Sequence, residues 1–374
     1  MNILRIVYDF PPPWYGLAPG PYELSKAQIK IGNEITILAG EWPRKKSYIE
    51  GGLKVKRFPC SLRYINGYFT YSPMVLFYYL ILSRKFDIIH AHNYHPFWYY
   101  IYRKILKDKI PLVLHMHITS AERAYRHKRV PFLTKYFEWR LAIYGEKLGC
   151  ELSDAIICVS ESVKNEVLKW YKPNPEKVFV IPNGVNIELF SPGGANLRKE
   201  LELENSKVIL FVGVLNKRKR VNLIIEALKY LPDDYKLLII GEGQDKGKLI
   251  KLVRNLGMKE RVIFIGLIPY LELSKYYRTA NIFVLPSTLE GFPKVILEAL
   301  SCGVPVITSE SFKGDEFLSN QIFQINNVTP EKIAEKIQEV INSKYKVNIE
   351  EIKNNYDWNV IAERIQKIYL ELVK

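Results

Sequence analysis

The chain has 374 residues, 48% hydrophobic and 25% charged, a length that suggests two domains and a composition that excludes a wholly disordered or fibrous chain. Its formal net charge is +15, from 54 Lys and Arg against 39 Asp and Glu, and +12 of that excess lies in residues 1–185. One strongly basic half attracts anionic partners such as nucleic acid, phospholipid headgroups or phosphorylated substrates.

Short apolar runs rich in β-branched residues alternate with amphipathic stretches. The first series is Ile3–Tyr8, Glu34–Ala39, Lys54–Phe58, Asp87–His90, Leu112–Met116, Ala155–Val159 and Val178–Ile181. Asp9 interrupts any signal-peptide core and no small-residue cleavage site follows, so a cytoplasmic protein is expected. The densest apolar window, Met74 to Leu82, is far shorter than the ~18 residues of a membrane span. All six histidines fall between His90 and His127. His90 and His92 alternate along one strand end, as do His115 and His117, so each pair shares a face and two pairs on neighbouring strands could ligate a transition metal. No further ligand type is placed to complete a shell, and no metal site is assigned. Cys60, Cys150, Cys158 and Cys302 contain no C-x-x-C pair, which excludes a zinc knuckle or a disulfide framework.

Arg123, Arg126, Lys128, Arg129, Lys135 and Arg140 are interleaved with Tyr125, Phe132, Tyr136, Phe137 and Trp139, with Glu138 the single acid in that span. Such a segment can lie in the interface of an anionic membrane, or pack its rings into the domain and solvate its charges. Both readings stay open, and Arg123, Arg126, Lys128 and Arg129 are the membrane-facing candidates.

Turn-formers at Ile181-Pro-Asn-Gly-Val185 and Ser191-Pro-Gly-Gly194 mark a boundary, giving domains at 1–185 and 186–357. The second series of strands follows at Val208–Val212, Lys236–Ile240, Val262–Ile265, Ile282–Leu285, Val304–Thr308 and Gln321–Ile325, with helical stretches at Leu223–Tyr230, Leu249–Leu256 and Ile333–Ile341. Two series of this kind predict two doubly wound α/β domains built on parallel sheets. An amphipathic helix over 358–374 is expected to pack back on the first domain.

The most informative stretch is Leu285-Pro-Ser-Thr-Leu-Glu-Gly-Phe-Pro-Lys-Val-Ile-Leu-Glu-Ala-Leu-Ser-Cys-Gly-Val-Pro-Val-Ile-Thr308. A strand ends at Leu285, Glu290-Gly291 turns the chain, and Pro293 opens a helix at a favoured first-turn position. The helix start, with Gly291, Phe292, Pro293, Lys294 and Val295, offers backbone N–H groups and a positive dipole end to an anion. Glu298, about one turn in, can accept from a diol such as a ribose, and Glu290 can meet hydroxyls beyond the phosphate. Phosphate cradle, diol acceptor and second carboxylate describe a nucleotide-sugar site.

This string resembles the E-x7-E signature of retaining glycosyltransferases of family 4. Ile181-Pro-Asn-Gly-Val-Asn-Ile-Glu-Leu-Phe190, Ala155-Ile-Ile-Cys-Val-Ser160, Phe211-Val-Gly-Val-Leu215 through Lys219, Leu238-Ile-Ile-Gly-Glu-Gly243 and Val262-Ile-Phe-Ile-Gly266 are similar to further family segments. The resemblance implies a GT-B fold, two Rossmann-like domains facing each other across a cleft, the first for the acceptor and the second for the nucleotide sugar. It implies sugar transfer from a nucleoside diphosphate sugar with retention and without a metal cofactor. It places Lys219 on the donor phosphate, Glu290 and His117 near the donor sugar, and Gly16 in the loop that gives backbone N–H to the phosphate. Three positions depart from the pattern. The family's arginine is Val214, so Lys217 or Arg218 must supply that charge; the glycine after the lysine is Arg220; and Tyr15 replaces the first of two glycines beside Gly16.

The expected partners are a nucleotide sugar and a glycan, glycolipid or small-molecule acceptor, with peripheral contact to the inner face of an anionic membrane on the first of the two readings of the basic segment. A nucleotide-sugar epimerase or phosphorylase on the same fold is the rival chemistry. Nucleic acid is not expected as a partner, because no helix-turn-helix, RNA-recognition or zinc-finger pattern accompanies the charge.

Overall fold

The computed structural model describes residues 1–12, 14, 18–40, 46–58, 71–82, 85–126, 133–310, 312 and 314–374. The chain divides into two compact units, residues 1–183 with 358–374, and residues 184–357. The division falls after Asn183, slightly ahead of the boundary drawn from the turn residues. Val185 pairs with Asp357 and its N–H donates to the Tyr356 carbonyl at 2.8 Å, which ties it to the second unit.

The first unit holds β1 (Asn2–Ile6), β2 (Glu34–Gly40), β3 (Tyr48–Glu50), β4 (Leu53–Phe58), β5 (Ile88–His92), β6 (Leu112–Met116), β7 (Ala155–Cys158) and β8 (Val178–Val180). They form one sheet in the order β3-β4-β2-β1-β5-β6-β7-β8. The β5, β6 and β7 runs are buried along their whole length, as strands covered on both faces must be. Only β3 is antiparallel to its neighbour. It forms a hairpin with β4 over Gly51-Gly52, both at positive φ, the conformation that a two-residue hairpin turn demands. Three residues give too little alternation for the sequence to declare β3, although the Gly-Gly pair was its signal.

The helix Pro19–Lys30 and the final helix, Trp358–Val373, pack against each other. Trp358, Ile361, Ala362, Ile365, Ile368 and Tyr369 of the final helix are buried in the first unit's core with Ile3, Leu24, Ile35 and Ile37. Their spacing is that of a single apolar helix stripe.

The second unit holds β9 (Lys207–Val212), β10 (Tyr235–Ile240), β11 (Val262–Gly266), β12 (Ile282–Leu285), β13 (Val306–Ser309) and β14 (Ile322–Ile325), all parallel, in the order β11-β10-β9-β12-β13-β14. The winding reverses between β9 and β12, and in the first unit between β1 and β5. Open parallel sheets bind ligands beyond the carboxyl ends of their strands at such reversals. The loops after β9 and β12, and those after β1, β5 and β6, are therefore the positioned ones.

Among the described residues, no helix is long and apolar enough to cross a membrane. Arg123 is exposed on the helix Ser120–Arg126, which Arg126 ends. Lys128 and Arg129 lie outside the described residues.

Candidate active site

In the second unit, the loop after β9 is pressed into shape by its neighbour. A Cβ on Gly241 would lie 2.0 Å from the Gly213 carbonyl oxygen, and one on Gly243 would lie 2.2 Å from that of Leu215. Glycine alone permits this approach. Asn216 then caps a single 3-10 turn, Lys217–Lys219, its side chain accepting from the Lys219 N–H. The loop after β12 docks on that turn, with the Thr288 N–H donating to the Arg218 carbonyl at 2.9 Å.

The two loops bring three predicted residues together. Lys219 Nζ lies 2.7 Å and Arg218 Nη1 2.9 Å from the same Oε1 of Glu290. Arg218 also donates to the Leu289 carbonyl. Burial pushes the Glu290 carboxyl up, but Lys219 and then Arg218 outweigh it and hold it below the usual carboxylate range. Burial pulls the Lys219 ammonium down, and Glu290 opposes that pull. Of the two candidates for the charge missing at Val214, Lys217 faces solvent and Arg218 turns onto Glu290. Arg220 sits at φ 51°, a left-handed conformation that suits glycine. That is the physical reason a glycine is usual there.

Past Glu290 and Gly291, Phe292 is buried and sets its ring against Phe312 and Tyr356. The helix Lys294–Ser301 follows, with Pro293 as its extended N-cap rather than inside its first turn. Pro293 has no side chain able to cap, and no acid stands in the first turn with Lys294 and Val295, so the positive helix end is unneutralised locally. Glu298 is buried on this helix and accepts from the Tyr277 hydroxyl at 2.8 Å. Tyr277 was not singled out from sequence. Its helix, Leu273–Thr279, carries no motif, and only the fold reveals that its hydroxyl meets Glu298.

In the first unit, β5 and β6 pair in register with His92 opposite His115. His90 Nε2 lies 3.1 Å from His115 Nδ1, His92 Nδ1 lies 3.0 Å from His117 Nε2, and the four rings stack. His90 Nδ1 is hydrogen bonded to the Tyr369 hydroxyl of the final helix. Arg5 of β1 is fully buried nearby, held by Ser25 and Gln28. Burial holds His90 and His92 well below the usual histidine value, with Arg5 and the neighbouring imidazoles adding to the effect; burial and Arg5 bring His115 to about 3. His90, His92 and His115 are therefore neutral at physiological pH.

A neutral imidazole carries one N–H. His92 Nε2 is buried without a hydrogen-bond partner. The proton between His92 Nδ1 and His117 Nε2 makes one ring the donor and the other the acceptor. Asn93, at φ 51°, fixes the backbone between the strands, receiving the His117 N–H on its side chain at 3.3 Å and donating its own N–H to His115. Nitrogen atoms of His90, His92 and His115 lie within 4.8 Å of one another, close enough to share a cation, but the nearby Arg5 opposes a further positive charge.

Gly16 lies outside the described residues. The start of its loop is clamped by Arg57, another residue missed from sequence. Its buried guanidinium donates to the carbonyls of Gly40, Phe10 and Pro11 at 2.9, 3.1 and 2.6 Å.

Residues 16–189 match Glycosyltransferase Family 4, and residues 195–368 match Glycosyl transferases group 1. An uncharacterized glycosyltransferase of Methanocaldococcus jannaschii is 27% identical over 99% of this chain and 98% of its own. The UDP-Gal:alpha-D-GlcNAc-diphosphoundecaprenol alpha-1,3-galactosyltransferase of Escherichia coli is 25% identical over 91% of this chain and 89% of its own. Among solved structures, sucrose-phosphate synthase from Thermosynechococcus elongatus superposes with a TM-score of 0.83 at 21% identity, covering 99% of this chain and 98% of that one.

Proposed function

The chain belongs to glycosyltransferase family 4 and has the GT-B fold, and from that premise we propose that it transfers a hexose from a nucleoside diphosphate sugar to a lipid-linked glycan or glycolipid, with retention at the anomeric carbon. The observation that carries this reading is the convergence of Lys219 and Arg218 on one Glu290 oxygen, at the strand reversal of the second unit. Without donor, the carboxylate satisfies both cations, the buried Lys219 and the half-buried Arg218. With donor, the diphosphate takes that place, and Glu290 turns to hydroxyls of the sugar.

The bond from the anomeric carbon to the diphosphate oxygen breaks, its electron pair leaves with the diphosphate, a bond to the acceptor hydroxyl oxygen forms, and the hydroxyl proton passes to the departing diphosphate. Lys219, Arg218, the Gly16 loop and the helix start at Gly291, Phe292, Pro293, Lys294 and Val295 stabilise the charge that develops on the leaving group. No resident metal is needed for that task. Glu298, fixed by Tyr277, holds the ribose. His117 hydrogen-bonds the donor sugar. The first unit receives the acceptor. A UDP-linked donor and a lipid-diphosphate acceptor are supported by the name of the E. coli relative. An acceptor of that kind brings the protein to an anionic membrane face, where Arg123, Arg126, Lys128 and Arg129 add attraction.

Thermal-shift screening against UDP, GDP and ADP sugars identifies the donor, and nucleotide release is then measured with and without acceptor. Release is expected only with acceptor, and Glu298→Ala should raise the donor KM about tenfold with a small effect on kcat, as loss of one hydrogen-bonded charge implies. Stoichiometric conversion of the donor without an acceptor would instead identify an epimerase or a hydrolase.

A further inference from the structure

The helix Ser72–Leu82 lies on the surface of the first unit and contains no charged residue. Val75 and Tyr79 face inward, while Met74, Phe77, Leu80 and Ile81 face solvent, with Phe77 58% and Ile81 62% exposed. Water-facing helix surfaces are normally polar. The neighbouring helix, Phe97–Leu106, packs alongside through Tyr79, Tyr99 and Tyr102, and the Trp98 N–H donates to Ser72 at its start. It adds Ile105 and Leu106, 70% and 64% exposed, and Trp98. Seven large apolar side chains are thus left uncovered on two adjacent helices, which marks an interaction surface.

Charge says what covers it. At the end of the Ser72–Leu82 helix, a cavity of about 540 Å³ is lined by Tyr78, Leu82 and Phe86 together with Lys54, Lys56 and Lys85. All three lysines are exposed; Lys54 pairs with Glu34 at 3.5 Å, and Lys56 lies over the Tyr78 ring. Glu34 is the single acid in that lining. Exposed Lys107 and Lys109 follow the second helix, while Asp108 between them is engaged by the Tyr79 and Tyr99 hydroxyls. An apolar face with a lysine-lined, apolar-walled hollow at its end has the chemistry of an anionic phospholipid surface: rings and aliphatic side chains enter the acyl boundary, and ammonium groups meet headgroup phosphates. A second copy of the chain would set this basic rim against its own.

We propose that the Ser72–Leu82 and Phe97–Leu106 helices, with Lys54, Lys56 and Lys85, form the surface by which the first unit docks on an anionic bilayer. The inference rests on the reading of a lipid-linked acceptor and assigns the attachment to a place different from the Arg123–Arg129 segment.

The test is co-sedimentation of the whole chain with phosphatidylcholine vesicles, with and without phosphatidylglycerol. The wild type should pellet with the mixed vesicles at low salt and much less with phosphatidylcholine alone. Phe77→Ser/Ile81→Ser should weaken binding at least about tenfold, because two exposed apolar anchors are lost. Lys56→Glu/Lys85→Glu should weaken it comparably and flatten the salt dependence. Both pairs are exposed, so melting temperature and nucleotide release with a water-soluble acceptor should stay near wild type. Wild-type protein left in the supernatant at low salt overturns the proposal. So does loss of binding only in Arg123→Glu/Arg126→Glu, or a wild-type dimer that Phe77→Ser/Ile81→Ser dissociates without change in vesicle binding. Vesicle binding that follows this pattern in a protein showing no donor turnover leaves the docking surface standing and removes the transferase reading instead.

Discussion

The two units solve the same problem, burying polar side chains at or beyond the carboxyl ends of their strands, in opposite ways. In the second unit, Lys219 and Arg218 together hold Glu290 ionised, and Glu290 opposes the burial that pulls the Lys219 ammonium down. In the first, His90, His92 and His115 are kept neutral because burial beside Arg5 leaves a proton no counter-ion. A charged cluster suits the recognition of a diphosphate, whose charge must be matched. A neutral stack suits orientation: its hydrogen bonds hold the imidazoles in place without adding charge.

Acid separates the two most strongly. A histidine whose folded pKa is depressed contributes fully above its unfolded value of 6.5, and that contribution is lost as pH falls toward the folded value, about 4 for His95 and about 3 for His115. His90 and His92 shift the same way. Glu146, pushed up by burial to about 7, and Asp9, also raised by burial, act in the opposite direction and offset part of this. The four histidines outweigh the two carboxyls, so the first unit loses stability as pH falls below 6.5. Glu290, with a lowered pKa, contributes above its unfolded value of 4.5 and weakens the second unit only as pH falls through the lowered one. All six tryptophans, Trp14, Trp42, Trp98, Trp139, Trp170 and Trp358, belong to the first unit. Tryptophan fluorescence in denaturant should therefore report a steep loss of stability between pH 6.5 and 5. Far-ultraviolet circular dichroism should retain a second transition that barely moves. Coincident transitions at every pH would break the comparison.

The charged cluster is tested by removing its charges singly and together. Lys219→Met leaves Glu290 buried with Arg218 alone, and should destabilise the second unit by about 2 kcal/mol and lower kcat about 10²-fold. Lys219→Met/Glu290→Gln should recover most of the stability and none of the turnover. Recovery of both would mean that the cluster is structural. A smaller effect sharpens the neutral side. His92→Asn keeps a donor near the Nδ1 position and should stay within about threefold of wild-type kcat, whereas His92→Leu should fall about tenfold. Equal losses in the two variants would refute a role for the His92–His117 hydrogen bond. The smallest effect is at Arg220, where Arg220→Gly relieves a left-handed residue and should stabilise the second unit by about 1 kcal/mol in denaturant titration.

Much of this architecture was legible because buried parallel strands announce themselves. The runs from Leu112 to Met116 and Ile282 to Leu285 have the limits read from the sequence, and the helix read over 358–374 runs from Trp358 to Val373. The meeting of Lys219 with Glu290 followed from two strand-end loops, but the turning of Arg218 rather than Lys217 onto Glu290 depends on the Asn216-capped turn, which spacing does not encode. The cross-strand pairing of His92 with His117 needed the register of β5 on β6. Tyr277 stayed hidden because its contact with Glu298 joins two helices. Met74–Leu82 is the sharpest case, since an apolar run reads as core by composition, and only the fold shows that most of its bulk is turned outward.

The return of residues 358–373 to the first unit has a consequence for how the polypeptide is made. Residues 184–357 are contiguous and can complete their sheet as soon as they leave the ribosome. The earlier half, although synthesised first, waits for its last helix to cover Ile3, Leu24 and Ile35 and to bring Tyr369 to His90. Nascent chains halted at Asp357 would carry a finished second unit and a first unit with an uncovered apolar groove, a natural substrate for chaperones.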